Sequence, residues 1–66
     1  MEGIVKWFSD KKGFGFITDN ESGRDVFVHY SKIKMEGRKT LLDGDRVMYN
    51  IKEGNRGPEA IEVRKV

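Results

Sequence analysis

The fold is decided by two short stretches of sequence, KGFGFI at Lys12–Ile17 and VFVH at Val26–His29. If each stretch is a β-strand, its side chains alternate between two faces. Ile17, Val26 and Val28 are the natural core residues, and the glycines of the first stretch allow the sheet to curl tightly. We therefore predict that the other face of both strands points to solvent.

The solvent faces of these two strands carry rings: Phe14, Phe16, Phe27 and His29. Exposing a large aromatic side chain forgoes roughly 1.5–3 kcal/mol of burial. A small domain that exposes several on one patch is typical of a protein that binds something flat. The aromatic residues are also concentrated in the first half of the chain, where packing alone predicts an even spread.

Length and composition restrict the class of protein. Sixty-six residues form one domain, 1–66, with one small core. The chain has no cysteine and one histidine, so we expect no disulfide, no metal site and no cofactor. It has no apolar run near 18 residues and no signal-like start, so we expect a cytoplasmic protein. The net charge of +2 comes from 13 basic and 11 acidic residues, so the placement of charge matters more than its sum.

Alternation of apolar and polar residues predicts five strands, at 3–8, 12–18, 25–29, 46–53 and 60–66. The last two strands are joined by the turn GNRGP at 54–58. The fourth strand should have Val47, Tyr49 and Ile51 on one face, and the fifth should direct Ile61 and Val63 inward. Between the third and fourth strands we predict a helical turn at 31–33 capped by Ser31, then a long basic loop over 35–43. Five short strands with glycine-rich turns predict a small all-β sandwich or barrel. Full closure into a barrel is the commonest way to protect the edge strands at this size.

The adjacent aromatic residues Trp7 and Phe8 cannot both face the core of a regular strand. One of them must point outward unless a bulge shifts the phase. Alternation alone leaves open which of the two points outward, and Trp7 could also fill the core.

The Lys12–Ile17 stretch matches the start of the RNP1 pattern of RRM domains. The match ends at Asp19, where an RRM has an aromatic residue, and the chain is too short for the two RRM helices. The motif therefore indicates a protein family other than the RRM domains.

Four ordered motifs make the whole chain resemble the bacterial cold-shock proteins, which belong to the OB-fold class. They are Gly3-x-Val5-Lys6-Trp7-Phe8, Lys12-Gly13-Phe14-Gly15-Phe16-Ile17, Asp25-Val26-Phe27-Val28-His29-Tyr30-Ser31 and Gly54-Asn55-Arg56-Gly57-Pro58. The resemblance implies an all-β fold, a five-stranded antiparallel Greek-key barrel, that binds single-stranded RNA and DNA with little sequence selectivity. It also implies an RNA chaperone of the cold-shock response that regulates gene expression. We further expect a monomer with no membrane or small-molecule partner and no enzymatic activity.

The same resemblance implies a nucleic-acid-binding surface at specific positions. The carried-over positions are Lys6, Trp7, Lys12, Phe14, Phe16, Phe27, His29, Tyr30 and Arg56, with Phe8 and Asp25 as further contributors. To these we add Arg38 and Lys39 of the basic loop as candidate contacts. The family usually has an aromatic residue where this chain has Arg38, so the family's stacking contact at this position does not carry over directly. Lys34, Arg38 and Lys39 could equally form a solvated loop.

Strand geometry supports the single-strand interpretation independently. Residues i and i+2 on a strand lie roughly 6.6 Å apart, whereas stacked bases rise about 3.4 Å each. Phe14 and Phe16 therefore suit bases that have been pulled apart, and each base–aromatic stack contributes roughly 1–3 kcal/mol for any base.

Two other binding functions use the same features. A barrel of the SH3 kind would hold a proline-rich peptide on its aromatic patch, and a different OB-fold module would bind structured RNA or the ribosome. An enzyme is disfavoured, because Asp25 and His29 on one strand lie about 13 Å apart and do not form a catalytic set with Ser31.

Overall fold

The computed structural model describes residues 1–37 and 39–66, and its regular structure is five strands and one short 3-10 helix. The strands are β1 at Glu2–Ser9, β2 at Phe14–Asp19, β3 at Asp25–His29, β4 at Arg46–Gly54 and β5 at Gly57–Lys65. The predicted five-strand pattern is confirmed. The 3-10 helix covers Tyr30–Lys32.

The strands form a closed barrel in the order β1-β2-β3-β5-β4, which confirms the predicted barrel. The named strand pairs are antiparallel except one: β3 and β5 run parallel, with Phe27 opposite Glu59 and Val28 opposite Ala60. The reason is geometric. Strand directions cannot alternate all the way round a closed ring of five, so at least one neighbouring pair must be parallel.

The core consists of apolar side chains that point into the barrel from every strand. The predicted core residues Ile17, Val26 and Val28 are fully buried. The segment after β3 also contributes two core residues, Ile33 and Leu41, that the sequence pattern does not single out. Ile33 forms a parallel bridge with Val63 and so ties this segment to β5.

Gly15 shows why β2 needs glycine on its inner face. A Cβ at this position would lie 2.2 Å from the backbone oxygen of Trp7 and 2.6 Å from the Cα of Phe8. Real Cβ atoms do not approach backbone so closely, so any side chain at Gly15 would push β1 and β2 apart.

The inward side of β5 differs from the prediction in one residue. Ala60 and Val63 are fully buried, whereas Ile61 is only partly buried. The cause is Glu62, which has a φ of 52° and lies where the register between β4 and β5 shifts. A bulge of this kind inserts one residue and reverses the alternation beyond it.

The predicted helical turn exists, but it starts one residue earlier than expected and its cap is His29 rather than Ser31. The imidazole of His29 accepts a hydrogen bond from the backbone N–H of Ser31. The long connection that follows has no helix or strand within 34–37 and 39–45.

A buried polar pair joins β2 to β4. The hydroxyl of Tyr49 donates to the carboxylate of Asp19, which also accepts from the backbone and hydroxyl of Ser22 at 3.0 Å each. These hydrogen bonds, led by the one from Tyr49, lower the pKa of Asp19 to about 2. Burial and the same contact raise the pKa of Tyr49. Asp19 therefore fixes the start of the turn that connects β2 and β3.

Candidate nucleic-acid interface

Four rings from β1, β2 and β3 form one continuous cluster on the outer wall of the barrel. We call Trp7, Phe14, Phe16 and Phe27 the aromatic patch. Trp7 lies 5.8 Å from Phe14 and 5.5 Å from Phe16, measured between ring centroids. Phe27 lies 5.7 Å from Phe14 and 5.8 Å from Phe16. Each ring thus contacts two others, and the structure brings together all four of these predicted residues.

A β-bulge positions Trp7 on this patch. The register between β1 and β2 shifts between Val5 and Trp7, so Lys6 is the extra residue. The shift turns Trp7 outward, with 37% of its surface exposed. Phe8 faces the other way and packs against the core while half-buried. Trp7 is therefore the residue of this pair that points outward.

His29 and Tyr30 extend the ring surface beyond the patch. His29 is the cross-strand neighbour of Phe14, and its ring centroid lies 4.6 Å from that of Tyr30. The Nδ1 atom of His29 shares a 2.8 Å hydrogen bond with the hydroxyl of Ser31. The backbone of Tyr30 donates to the carbonyl of Gly13, which holds this end of β3 against the start of β2.

An open groove of about 490 Å³ lies beside Tyr30, and we call it the Tyr30 groove. Its lining includes four of the predicted binding residues: Phe8, Lys12, Tyr30 and Lys39. Sequence reasoning missed two further residues of this groove, Asp10 and Lys11. Asp10 accepts a hydrogen bond from the hydroxyl of Thr40, so it connects the β1–β2 turn to the long connection after β3. No motif marks these two residues in the sequence.

A second open groove, of about 560 Å³, separates the patch from the turn between β4 and β5. We call it the hairpin groove. Phe16 and Phe27 form one side, and the turn supplies the predicted Arg56 on the other. From this turn motif, the sequence predicts only Arg56 as a binding residue. The structure shows that Asn55, Pro58 and Glu59 also line the groove.

One ion pair stands at the edge of the patch. The ammonium of Lys6 lies 3.0 Å from the carboxylate of Asp25, and both side chains are about half exposed. The hydroxyl of Thr18 also donates to Asp25, at 3.4 Å. The predicted residues Lys6 and Asp25 thus contact each other next to Trp7 and Phe27. The remaining predicted residue, Arg38, lies outside the described part of the chain.

The described residues offer no group of three or more His, Cys, Asp or Glu side chains that could hold a metal ion. None of their helices is long and apolar enough to cross a membrane. The chemistry that the site presents is that of ring faces flanked by ammonium and guanidinium groups.

The geometry defines a class: a small closed barrel that displays aromatic rings and cations on one wall. Sequence comparison gives the family, because the sequence model of the 'Cold-shock' DNA-binding domain matches residues 1–66. The chain belongs to this family.

Named relatives agree with that assignment. A cold shock-like protein of Thermotoga maritima is 58% identical over 66 residues, which is 100% of this chain and 98% of the relative. A cold shock-like protein of Vibrio cholerae, CspA, is 51% identical over 63 residues, covering 96% of this chain and 90% of the relative.

A solved structure confirms the fold alone. Drosophila Unr CSD456 superposes with a TM-score of 0.81 at 20% sequence identity, over 98% of this chain. The match covers 26% of that longer chain.

Proposed function

We propose that this protein binds single-stranded RNA and DNA, with the aromatic patch as the platform on which bases stack. The observation that carries the proposal is the mutual contact of four outward-facing rings, two of which line the open hairpin groove. Burying these rings inside the barrel would have gained free energy, so their exposure needs a ligand. The family to which the chain belongs is described as DNA-binding, which supports the same conclusion.

The patch suits a single strand better than a duplex. In a duplex the base faces are stacked on each other and the rings of Phe14 and Phe16 cannot reach them. In a splayed strand each ring meets one base face, and the contact is nearly independent of which base it is. We therefore expect low sequence selectivity and binding to both RNA and DNA.

The cations around the patch are placed to meet phosphates. Lys12 and Lys39 lie in the Tyr30 groove, whereas Arg56 lies in the hairpin groove with Phe16 and Phe27. Lys6 lies next to Trp7 in the sequence, but part of its charge is compensated by Asp25. With so few phosphate contacts, stacking should contribute more to affinity than charge does.

In the cell, we propose that the protein acts as an RNA chaperone in the cytoplasm and so influences gene expression, with a role in the cold-shock response. The names of the relatives support the last point. A binder without a nucleotide-hydrolysing motif can melt RNA only by trapping strands as they open. Within residues 1–37 and 39–66, every strand has a paired neighbour on both sides, so no strand is left open to pair with a second copy, which favours a monomer.

Titration of Trp7 fluorescence tests the proposal. Emission should fall as oligothymidine is added, because a base stacks on the exposed indole. A blunt duplex of the same length should leave the emission nearly unchanged, and so should a proline-rich peptide. Equal affinity for the duplex would refute single-strand binding, whereas saturable binding of the peptide alone would favour the SH3-like alternative.

Melting of an RNA hairpin tests the chaperone mechanism separately. A hairpin with a fluorophore and a quencher at its ends should open only when protein is present in at least stoichiometric amounts, and without ATP. ATP-dependent opening by substoichiometric protein would contradict trapping by mass action.

A further inference from the structure

A third groove, of about 410 Å³, lies on the barrel wall beyond the aromatic patch and carries no aromatic side chain. Three lysines dominate its lining, and we call it the lysine groove. It is lined by Ser31, Lys32, Lys34, Lys52, Ile61 and Glu62. None of these residues belongs to the predicted nucleic-acid-binding surface. The three lysines come from the 3-10 helix, the segment after it and β4, so the fold assembles the groove from separate parts of the chain.

The three lysines of the groove are exposed and lack ion-pair partners within residues 1–37 and 39–66. Other cations on the barrel are already compensated: Arg24 by Glu53, Arg46 by Glu2 and Lys65 by Asp45. The carboxylate inside the groove belongs to Glu62, which accepts a 2.8 Å hydrogen bond from the side-chain amide of Asn50.

One further acid lies close by, because Glu59 is the cross-strand neighbour of Lys52. Counting Glu59 and Glu62 against the three lysines leaves the region with an excess of positive charge.

Two series of contacts link the groove to the aromatic patch. His29, which is paired with Phe14 of the patch, shares a hydrogen bond with Ser31, and Ser31 lines the groove. The parallel pairing of β3 and β5 gives a second connection. Phe27 of the patch lies opposite Glu59. Two residues further along the two strands, the next outward residues are His29 and Ile61, and Ile61 lines the groove.

We propose that the lysine groove binds the phosphates of the strand where it leaves the aromatic patch past His29. The inference rests on the proposed single-strand binding and extends it to a longer stretch of nucleic acid. Ammonium groups without neighbouring rings recognise the phosphodiester backbone and not the bases, so this extension is independent of sequence. It engages only strands long enough to cover both the patch and the groove.

The test compares two oligothymidines, one of about six and one of about twelve nucleotides, both within the roughly 4–16 nucleotides that one OB fold covers. The variant is the triple substitution Lys32→Gln, Lys34→Gln and Lys52→Gln. The control is the triple substitution Arg24→Gln, Arg46→Gln and Lys65→Gln, which removes the same formal charge from cations that already have carboxylate partners. Affinity is measured by Trp7 emission across a series of salt concentrations, and each variant is first shown to be folded by circular dichroism.

A longer strand offers more positions at which the protein can bind, which raises the affinity but does not change the slope of log affinity against log salt. That slope is therefore the decisive quantity. It should be steeper for the long strand than for the short one by about 0.7 for each lysine–phosphate contact, or about 2 for three contacts. Between 50 and 200 mM salt this is an extra loss of about 20-fold in affinity. The groove variant should abolish the difference and bind the short strand as the unchanged protein does.

Three results would overturn the inference: an unchanged slope for the long strand in the groove variant, an equal loss for both strands, or an equal loss in the control variant. A failure of the short strand to bind the unchanged protein would instead contradict the proposed function itself.

Discussion

Val26 and Phe27 are consecutive residues of β3 that face opposite sides of the barrel wall, so truncating each one to alanine should have opposite consequences. Val26 is fully buried and lies opposite Ile17 in β2. Phe27 is half-buried on the outside and contacts two rings of the patch. Val26→Ala should lower stability and leave affinity for a single strand unchanged. Phe27→Ala should mainly lower affinity.

The size of the Val26→Ala effect follows from the groups removed. Two methyl groups at about 0.8 kcal/mol each give about 1.6 kcal/mol, and the cavity that remains raises the loss toward about 3 kcal/mol. For a domain of this size each kcal/mol lowers the melting temperature by roughly 4–8 °C, so the expected decrease is roughly 6–24 °C.

Phe27→Ala removes one base stack of roughly 1–3 kcal/mol, which corresponds to a Kd about 5- to 150-fold higher. It also removes two exposed ring contacts, so a smaller loss of stability accompanies the loss of affinity. Thermal unfolding followed by circular dichroism gives the first quantity, and oligothymidine titration at a temperature where both variants are folded gives the second. If Phe27→Ala unfolds the domain while Val26→Ala leaves it stable, the assignment of the two faces is reversed.

Three further predictions concern other parts of the barrel. Gly15→Ala should prevent β1 and β2 from pairing, with a large drop in melting temperature, whereas Gly54→Ala, whose nearest neighbour would be 3.7 Å away, should be tolerated. Because the folded pKa of Asp19 is about 2 rather than 3.8, its ionised form stabilises the fold above pH 3.8, and that contribution is lost as the pH falls through about 2. Tyr49→Phe removes the main cause of the shift, so acid unfolding followed by circular dichroism should begin at a higher pH; an unchanged acid transition would contradict this. Arg38→Phe should strengthen binding at high salt and reduce the slope of log affinity against log salt by roughly 0.7 for each phosphate that the guanidinium no longer contacts. Arg38→Ala should weaken binding modestly at low salt. If neither variant changes the affinity or the slope, Arg38 is a solvated loop residue.

The sequence predicts the faces of β2 and β3 correctly because both are regular strands with a strict two-residue period. Phe14, Phe16 and Phe27 can therefore be assigned to one outer surface from the alternation alone. The same rule gives the wrong inward residue in β5, because the bulge at Glu62 changes the phase and nothing in the local sequence indicates it. For the bulge at Lys6 the sequence gives only an indirect indication. Two adjacent aromatic residues, Trp7 and Phe8, cannot both face the core of a regular strand, and a bulge is one way to resolve this.

Features that depend on barrel closure are beyond local sequence reasoning. Ile33 and Leu41 belong to a segment without periodicity, and they enter the core only because that segment crosses the barrel and bridges to β5. The hairpin groove likewise exists because closure brings the turn between β4 and β5 beside Phe16 and Phe27. Such neighbours are set by pairings between strands that are distant in sequence.

Stacking of bases on the aromatic patch is the central claim, and NMR spectroscopy with added oligothymidine tests it most directly, because ring currents of stacked bases shift nearby protons. The ring protons of Trp7, Phe14, Phe16 and Phe27 should show the largest changes, while resonances around the exposed Met48 and Arg64 on the β4–β5 wall should stay nearly constant. Large changes around Met48 and Arg64 with unmoved patch resonances would contradict the claim.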